Sequence, residues 1–162
     1  AVPSQSTMDH FRRIMAELDA VPPSGTTRLL AASQLMLRRA KPRSMIVLLS
    51  DLLDVDEQIF SSLGVLRQRG ADVMVLQVMD PDELSFPFDG AVRFVDMEGD
   101  RQVQVDAPAL RRSYLHEIDL FLRATEKRCQ ERDLRHVMVA TDAPFVRVLH
   151  DAWMPSQLRR SL

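Results

Sequence analysis

Three apolar runs of this chain each end in an aspartate: Met45-Ile-Val-Leu-Leu-Ser50-Asp51, Val73-Met-Val-Leu-Gln-Val-Met79-Asp80 and Val137-Met-Val-Ala-Thr141-Asp142. Carboxylate and hydroxyl oxygens are hard donors that suit Mg²⁺, Mn²⁺ or Ca²⁺. Asp51 and the hydroxyls of Thr26 and Thr27 could converge on such an ion if their turns open at one edge. Asp51 and Asp80, on neighbouring strand ends, could instead serve a metal-dependent hydrolase or phosphotransfer reaction. The same residues also have a structural use, because strand-end aspartates commonly form turns and cap helices. Asp80 precedes Pro81 in a turn and Asp142 sits where a helix cap belongs, so the structural use fits those two best.

Other chemistry is thinly represented. His10, His116, His136 and His150 are scattered, and no Ser or Cys stands in a nucleophile-elbow context. The sequence holds no Gly-x-Gly-x-x-Gly or Walker-type loop, and its five glycines leave little to build one. Glu83 could pair with Asp80 for acid–base work, yet nothing supplies a nucleophile or oxyanion donors, which favours pairing inside its own loop. Cys129 is the only cysteine, so no intrachain disulfide forms and a reducing compartment is expected.

The elements that carry these residues follow from periodicity. Short apolar runs rich in Val and Ile, separated by helical stretches, predict buried strands of a parallel sheet. Ser6 or Thr7 caps a first helix with Met8, Phe11, Ile14, Met15 and Leu18 on one stripe. A second helix runs from about Arg28 to Ala40, burying Leu29, Leu30, Ala32, Leu35 and Met36. Asp56 can cap a third, which ends at Arg69 before a left-handed Gly70. The loop from Asp80 to Gly90 is too apolar to lie free in water, and Phe86 and Phe88 around Pro87 anchor it to the body. Val92–Asp96 and Arg101–Val105 alternate apolar and polar residues around Glu98-Gly99-Asp100, which predicts a β-hairpin with one wet face. Asp106 caps the longest helix, with Leu110, Tyr114, Ile118, Phe121, Leu122, Thr125 and Cys129 inward. Pro144 opens a last helix that buries Phe145, Leu149 and Trp153.

At 162 residues, 46% hydrophobic and 27% charged, the chain fits one ordinary domain, read as residues 1–154 with a tail at 155–162. A formal charge of −2 gives no electrostatic case for nucleic acid or an anionic membrane. The arginine pairs, such as Arg12-Arg13 and Arg111-Arg112, are expected on solvated helix faces. No run of about 18 apolar residues is present to span a membrane, and no signal peptide is visible, so a cytoplasmic location is expected. Three parallel strands make a short sheet with an open edge, through which self-association is possible. That shortness, with an opening Ala-Val-Pro-Ser that lacks Met, suggests a piece of a longer protein.

The ordered set Pro23-Ser-Gly-Thr26-Thr27, Leu48-Leu-Ser50-Asp51-Leu-Leu-Asp54, Arg69-Gly-Ala-Asp-Val73, Asp80-Pro-Asp-Glu83-Leu-Ser-Phe-Pro-Phe88 and Tyr114-Leu115 resembles bacterial proteins of domain-of-unknown-function family 58, which contain a von Willebrand factor A-like domain. The similarity runs from about Pro22 to Trp153. It implies a doubly wound, mainly parallel α/β sheet of von Willebrand factor A-like type, here partial and with an inserted hairpin. It further implies a metal-ion-dependent adhesion site, in which Thr26 and Asp51 match two ligands of Mg²⁺ or Mn²⁺ and Asp54 supports them from behind. The Asp-x-Ser-x-Ser turn of that site occurs nowhere in the chain. Ion binding by this chain alone is therefore expected to be weak or absent.

The resemblance also implies a non-enzymatic, cytoplasmic interaction domain acting with a MoxR-type AAA+ ATPase in the assembly or maturation of other proteins. The metal-dependent enzyme on Asp51 and Asp80 is the alternative. In a third reading the rim is inert and the apolar loop Leu84 to Phe88 docks a partner.

Overall fold

The protein is described by a computed structural model for residues 6–21, 29–53, 55–95 and 102–153. Thr26, Thr27, Asp54, the expected hairpin turn at 98–100 and the 155–162 tail lie outside the described residues.

The three apolar runs do form parallel strands: β1 (Met45–Ser50), β2 (Asp72–Met79) and β5 (Arg135–Ala140), in the order β1-β2-β5. The register pairs Met45 with Asp72 and Ser50 with Gln77, then Met74 with Arg135 and Met79 with Ala140. A parallel register delivers all three C-termini to one edge, as the sequence requires. β2 lies in the middle and is buried along nearly its whole length. β1 is an edge strand, and its residues alternate between exposed and half-buried. It is not the fully buried strand that its continuous apolar run suggests: Ile46 and Leu48 pack on the core, whereas the face that carries Met45, Val47 and Leu49 is left open.

Helices cover both faces of this sheet. On one face Ile46, Leu48, Val73 and Val75 pack with α2 (Leu29–Arg39), α3 (Glu57–Gln68) and the Cys129 end of α5 (Ala107–Gln130). The other face holds a smaller cluster in which Met74, Leu76, Val137 and Val139 meet Ala152 of α6 (Phe145–Trp153). Alternate residues of β2 thus feed two cores, as the twofold period of a strand demands.

Helix α3 is the most firmly built. Asp56 caps it, accepting from the Gln58 amide at 2.8 Å, and Gly70 closes it with φ +87°. Ile59, Phe60, Leu63 and Leu66 form its buried stripe. On α2 the inward side is Leu29, Leu30, Ser33 and Leu37, followed by Ala40 just past its end, whereas Ala32 and Met36 are exposed. Leu29 and Leu30 are inward as expected, while Leu37 and not Met36 carries the stripe into the last turn, a choice that the run Leu35-Met36-Leu37 leaves open.

Helix α1 (Met8–Asp19) begins at Thr7, which accepts from the His10 amide, and shows the expected amphipathic stripe. Yet Met8, Phe11, Met15 and Leu18 are exposed and the helix buries no residue. Helix α6 departs further from expectation. Its inward residues are Val148 and Ala152, while Phe145, Val146, Leu149 and Trp153 face solvent. The apolar stripe read from sequence is real, but the small Ala152 is what fits against Met74 and Leu76.

The hairpin pairs β3 (Ala91–Val95) with β4 (Gln102–Asp106) antiparallel, Val95 opposite Gln102. Asp106 stands before α5 but makes no side-chain cap, so that expectation fails. The inward stripe of α5, from Leu110 and Tyr114 to Thr125 and Cys129, is as expected.

Candidate functional site

The turns after β1 and β2, at the C-terminal edge of the sheet, are built by their own polar side chains. After β1, Ser50 Oγ accepts from the Leu52 amide at 3.1 Å and Asp51 Oδ1 from the Leu53 amide at 3.2 Å. Leu52 takes φ +64° and buries its side chain in the core. A non-glycine residue enters the left-handed region at a cost, and burial of the Leu52 side chain offsets it. This turn leaves the Asp51 carboxylate exposed.

Asp80, after β2, joins two elements. Its Oδ1 accepts from the Asp82 amide at 2.9 Å, while Glu83 Oε2 accepts from the Asp80 amide at 2.9 Å. This reciprocal cap starts the short helix α4 (Pro81–Ser85). The remaining oxygen, Oδ2, accepts from Thr141 Oγ1 at 3.2 Å, tying the end of β2 to that of β5. Glu83 thus pairs inside its loop as its position suggests. Asp142 does not cap α6: a turn closed by Ala143 N–H donating to the Ala140 carbonyl intervenes, and the helix starts at Phe145.

The strand-end aspartates therefore share an edge, and those of β1 and β2 spend oxygens on backbone amides. Among the described residues no group of three or more His, Cys, Asp or Glu side chains is gathered to hold a metal ion. Of the two ligands that the resemblance implies, Asp51 is described and Thr26 is not; the supporting Asp54 also falls outside the described residues. Asp51 by itself supplies one carboxylate toward the shell of about six oxygens that Mg²⁺ requires.

Behind the rim runs a buried polar chain. Gln77 is fully buried in β2; its Nε2 donates to the Asp51 carbonyl at 3.3 Å, and its Oε1 lies 3.0 Å from His136 Nε2. Burial lowers the pKa of His136, against a weaker opposing pull from Glu126. His136 is half-buried on β5 and joins the rim turn after β1 only through Gln77. Burial also pushes the Cys129 thiol up to about 11, which keeps it inert as its helical position suggests.

Sequence reasoning missed a cavity of about 430 Å³ between α4, the hairpin and α5. Phe86, Phe88, Phe94 and Tyr114 line it together with Val103, Val105 and Leu110. Asp80, Asp82 and Glu83 complete the lining, so the cavity adjoins the rim at the end of β2. Phe86 is 2% exposed, which removes it as a docking residue and makes it the anchor of its loop. Its backbone is left-handed, with φ +45°, and ends α4. Arg111 is exposed as expected, yet its guanidinium is engaged: Nε donates to the Phe86 carbonyl at 3.0 Å and Nη2 to that of Phe88 at 2.8 Å. Burial, and then the Glu83 charge, raise the pKa of Tyr114 and keep its hydroxyl protonated. The signal in the sequence was the over-apolar loop; that the hairpin and α5 supply the other walls was not legible.

The model of a family described as "Protein of unknown function DUF58" matches residues 1–119. The chain belongs to that family. The DUF58 match begins upstream of Pro22 and stops within α5, so its extent differs from the Pro22–Trp153 span expected. No curated protein matches the chain. Among solved structures, it is similar to the conserved hypothetical protein BatB from Bacteroides thetaiotaomicron, with a TM-score of 0.51 and 15% identity. That alignment covers 94% of this chain and 71% of the other. At such identity the likeness carries the fold alone, a mixed α/β layered domain with a parallel sheet.

Proposed function

We propose that this DUF58 chain is a non-enzymatic protein-interaction domain of von Willebrand factor A-like type. The observation that carries the reading is its uncovered apolar surface. On α6, Phe145 is 72% and Val146 79% exposed, with Leu149 and Trp153 beside them in helical spacing. On β1, Met45, Val47 and Leu49 occupy the same sheet face as the Met74 and Leu76 cluster that receives α6, and all three are exposed. Large exposed apolar patches mark protein-interaction sites. A MoxR-type AAA+ ATPase is the partner to test first, and Mg²⁺ dependence belongs to the same reading.

Co-purification of the ATPase with natively expressed protein, in Mg²⁺ and in chelator, tests this. We expect the doubly substituted Phe145→Glu, Trp153→Glu variant to keep its fold by circular dichroism and to lose the partner. Retention of the partner by that variant would sink the reading.

A further inference from the structure

The cavity beneath the hairpin has walls and a mouth of opposite character. Phe86 braces the aromatic wall from behind: its ring centroid lies 4.4 Å from Tyr114, 5.1 Å from Phe88 and 5.9 Å from Phe94. Phe88 meets Phe94 edge-on at 5.3 Å. Rings that hold one another in this way are fixed before any ligand arrives, so the wall costs little to order on binding. Asp80, Asp82 and Glu83 also line it, Asp80 with both oxygens and Glu83 with Oε2 already bonded, and no Lys or Arg does so among the described residues. The guanidinium of Arg111 is spent on the carbonyls of Phe86 and Phe88. A volume of about 430 Å³ exceeds what one small side chain fills and falls within the range of ligand pockets.

Aromatic faces attract cations through their quadrupole. Carboxylates accept from guanidinium in strong, charge-assisted hydrogen bonds. We propose that this cavity binds an arginine side chain of a partner polypeptide, its stem against the aromatic wall and its guanidinium at Asp82 and Glu83. The inference rests on the reading of the chain as an interaction domain, but it uses residues distinct from those of α6 and β1.

The test is a titration of ¹⁵N-labelled protein with N-acetyl-phenylalanyl-arginine amide and with its citrulline counterpart, a neutral isostere. The arginine peptide should shift the amide resonances of Glu83, Val105, Leu110 and Tyr114, and the citrulline peptide should bind about tenfold more weakly. Asp82→Asn should weaken the arginine peptide several-fold and leave the citrulline peptide unchanged. Equal binding of the two peptides, or no shifts with either at millimolar concentration, would overturn the proposal. The two readings separate cleanly. Partner loss in the α6 variant without peptide binding defeats the cavity alone. Peptide binding with the partner retained in that variant defeats the apolar face alone.

Discussion

At the scale of single residues, chemistry at the rim is subordinate to turn building. Asp80 accepts from the Asp82 amide and from Thr141 Oγ1, so it caps α4 and bridges two strand ends at once. Asp80→Ala should cost about 1–2 kcal/mol in chemical denaturation, the usual cost of losing a helix cap with one added bond. Asp51→Asn retains an oxygen for the Leu53 amide and should leave stability nearly unchanged. Phosphatase assays with Mn²⁺ on that variant and the wild type discriminate the enzyme alternative, for which activity lost in Asp51→Asn would be the signature. His136 is the residue that should set the pH response. Its native pKa is lowered by burial from the ordinary 6.5, so the unfolded chain takes up the proton first. Its contribution to stability is therefore complete above about pH 6.5 and falls away as pH drops below that value. Denaturation midpoints at neutral pH and near pH 5.5 should show this decline, and His136→Gln should flatten it.

At the scale of elements, the loop from Asp80 to Gly90 is a built wall. Phe86 packs against three rings, and Arg111 clips the carbonyls on either side of Pro87. Phe86→Ala should cost about 3–5 kcal/mol, as deletion of a buried aromatic does. A loss of under about 1 kcal/mol on denaturation would mean that the ring is not an anchor. The end of α5 is tied to the start of α3 through Glu57, which pairs with Arg128 at 3.2 Å and with Arg132. Gly64 lies at this contact, where an added Cβ would stand 3.3 Å from Arg132 Cγ. These partly exposed pairs position the helices more than they stabilise them.

At the scale of the whole molecule, the two sheet faces are unequally covered. The face under α2, α3 and α5 holds a contiguous core from Leu52 to Leu134. The opposite face receives only α6 among the described helices that pack on it, and Met45, Val47 and Leu49 stay open. An uncovered face of this kind should promote association. Glutamate at Phe145 and Trp153 should therefore raise solubility as well as abolish partner binding, with gel filtration as the check. Among the described residues no helix is long and apolar enough to cross a membrane.

The sequence by itself determined the parallel strands, the shared edge of their terminal aspartates, the cap at Asp56, the left-handed Gly70 and the inward stripe of α5. Each of these depends on local chemistry: β-branched runs, capping oxygens and a period of two or 3.6 residues. It could not determine which apolar residues of α2 and α6 turn inward, because an apolar segment offers more than one stripe and packing volume selects between them. Nor could it show that Leu52 would turn the chain with positive φ, or that Asp106 would leave its helix uncapped. The cavity needed the tertiary structure most of all. Its walls come from Phe86 and Phe88 in the loop after α4, from Phe94 and Val105 on the two strands of the hairpin, and from Leu110 and Tyr114 on α5. No spacing along the chain records that they close around one volume.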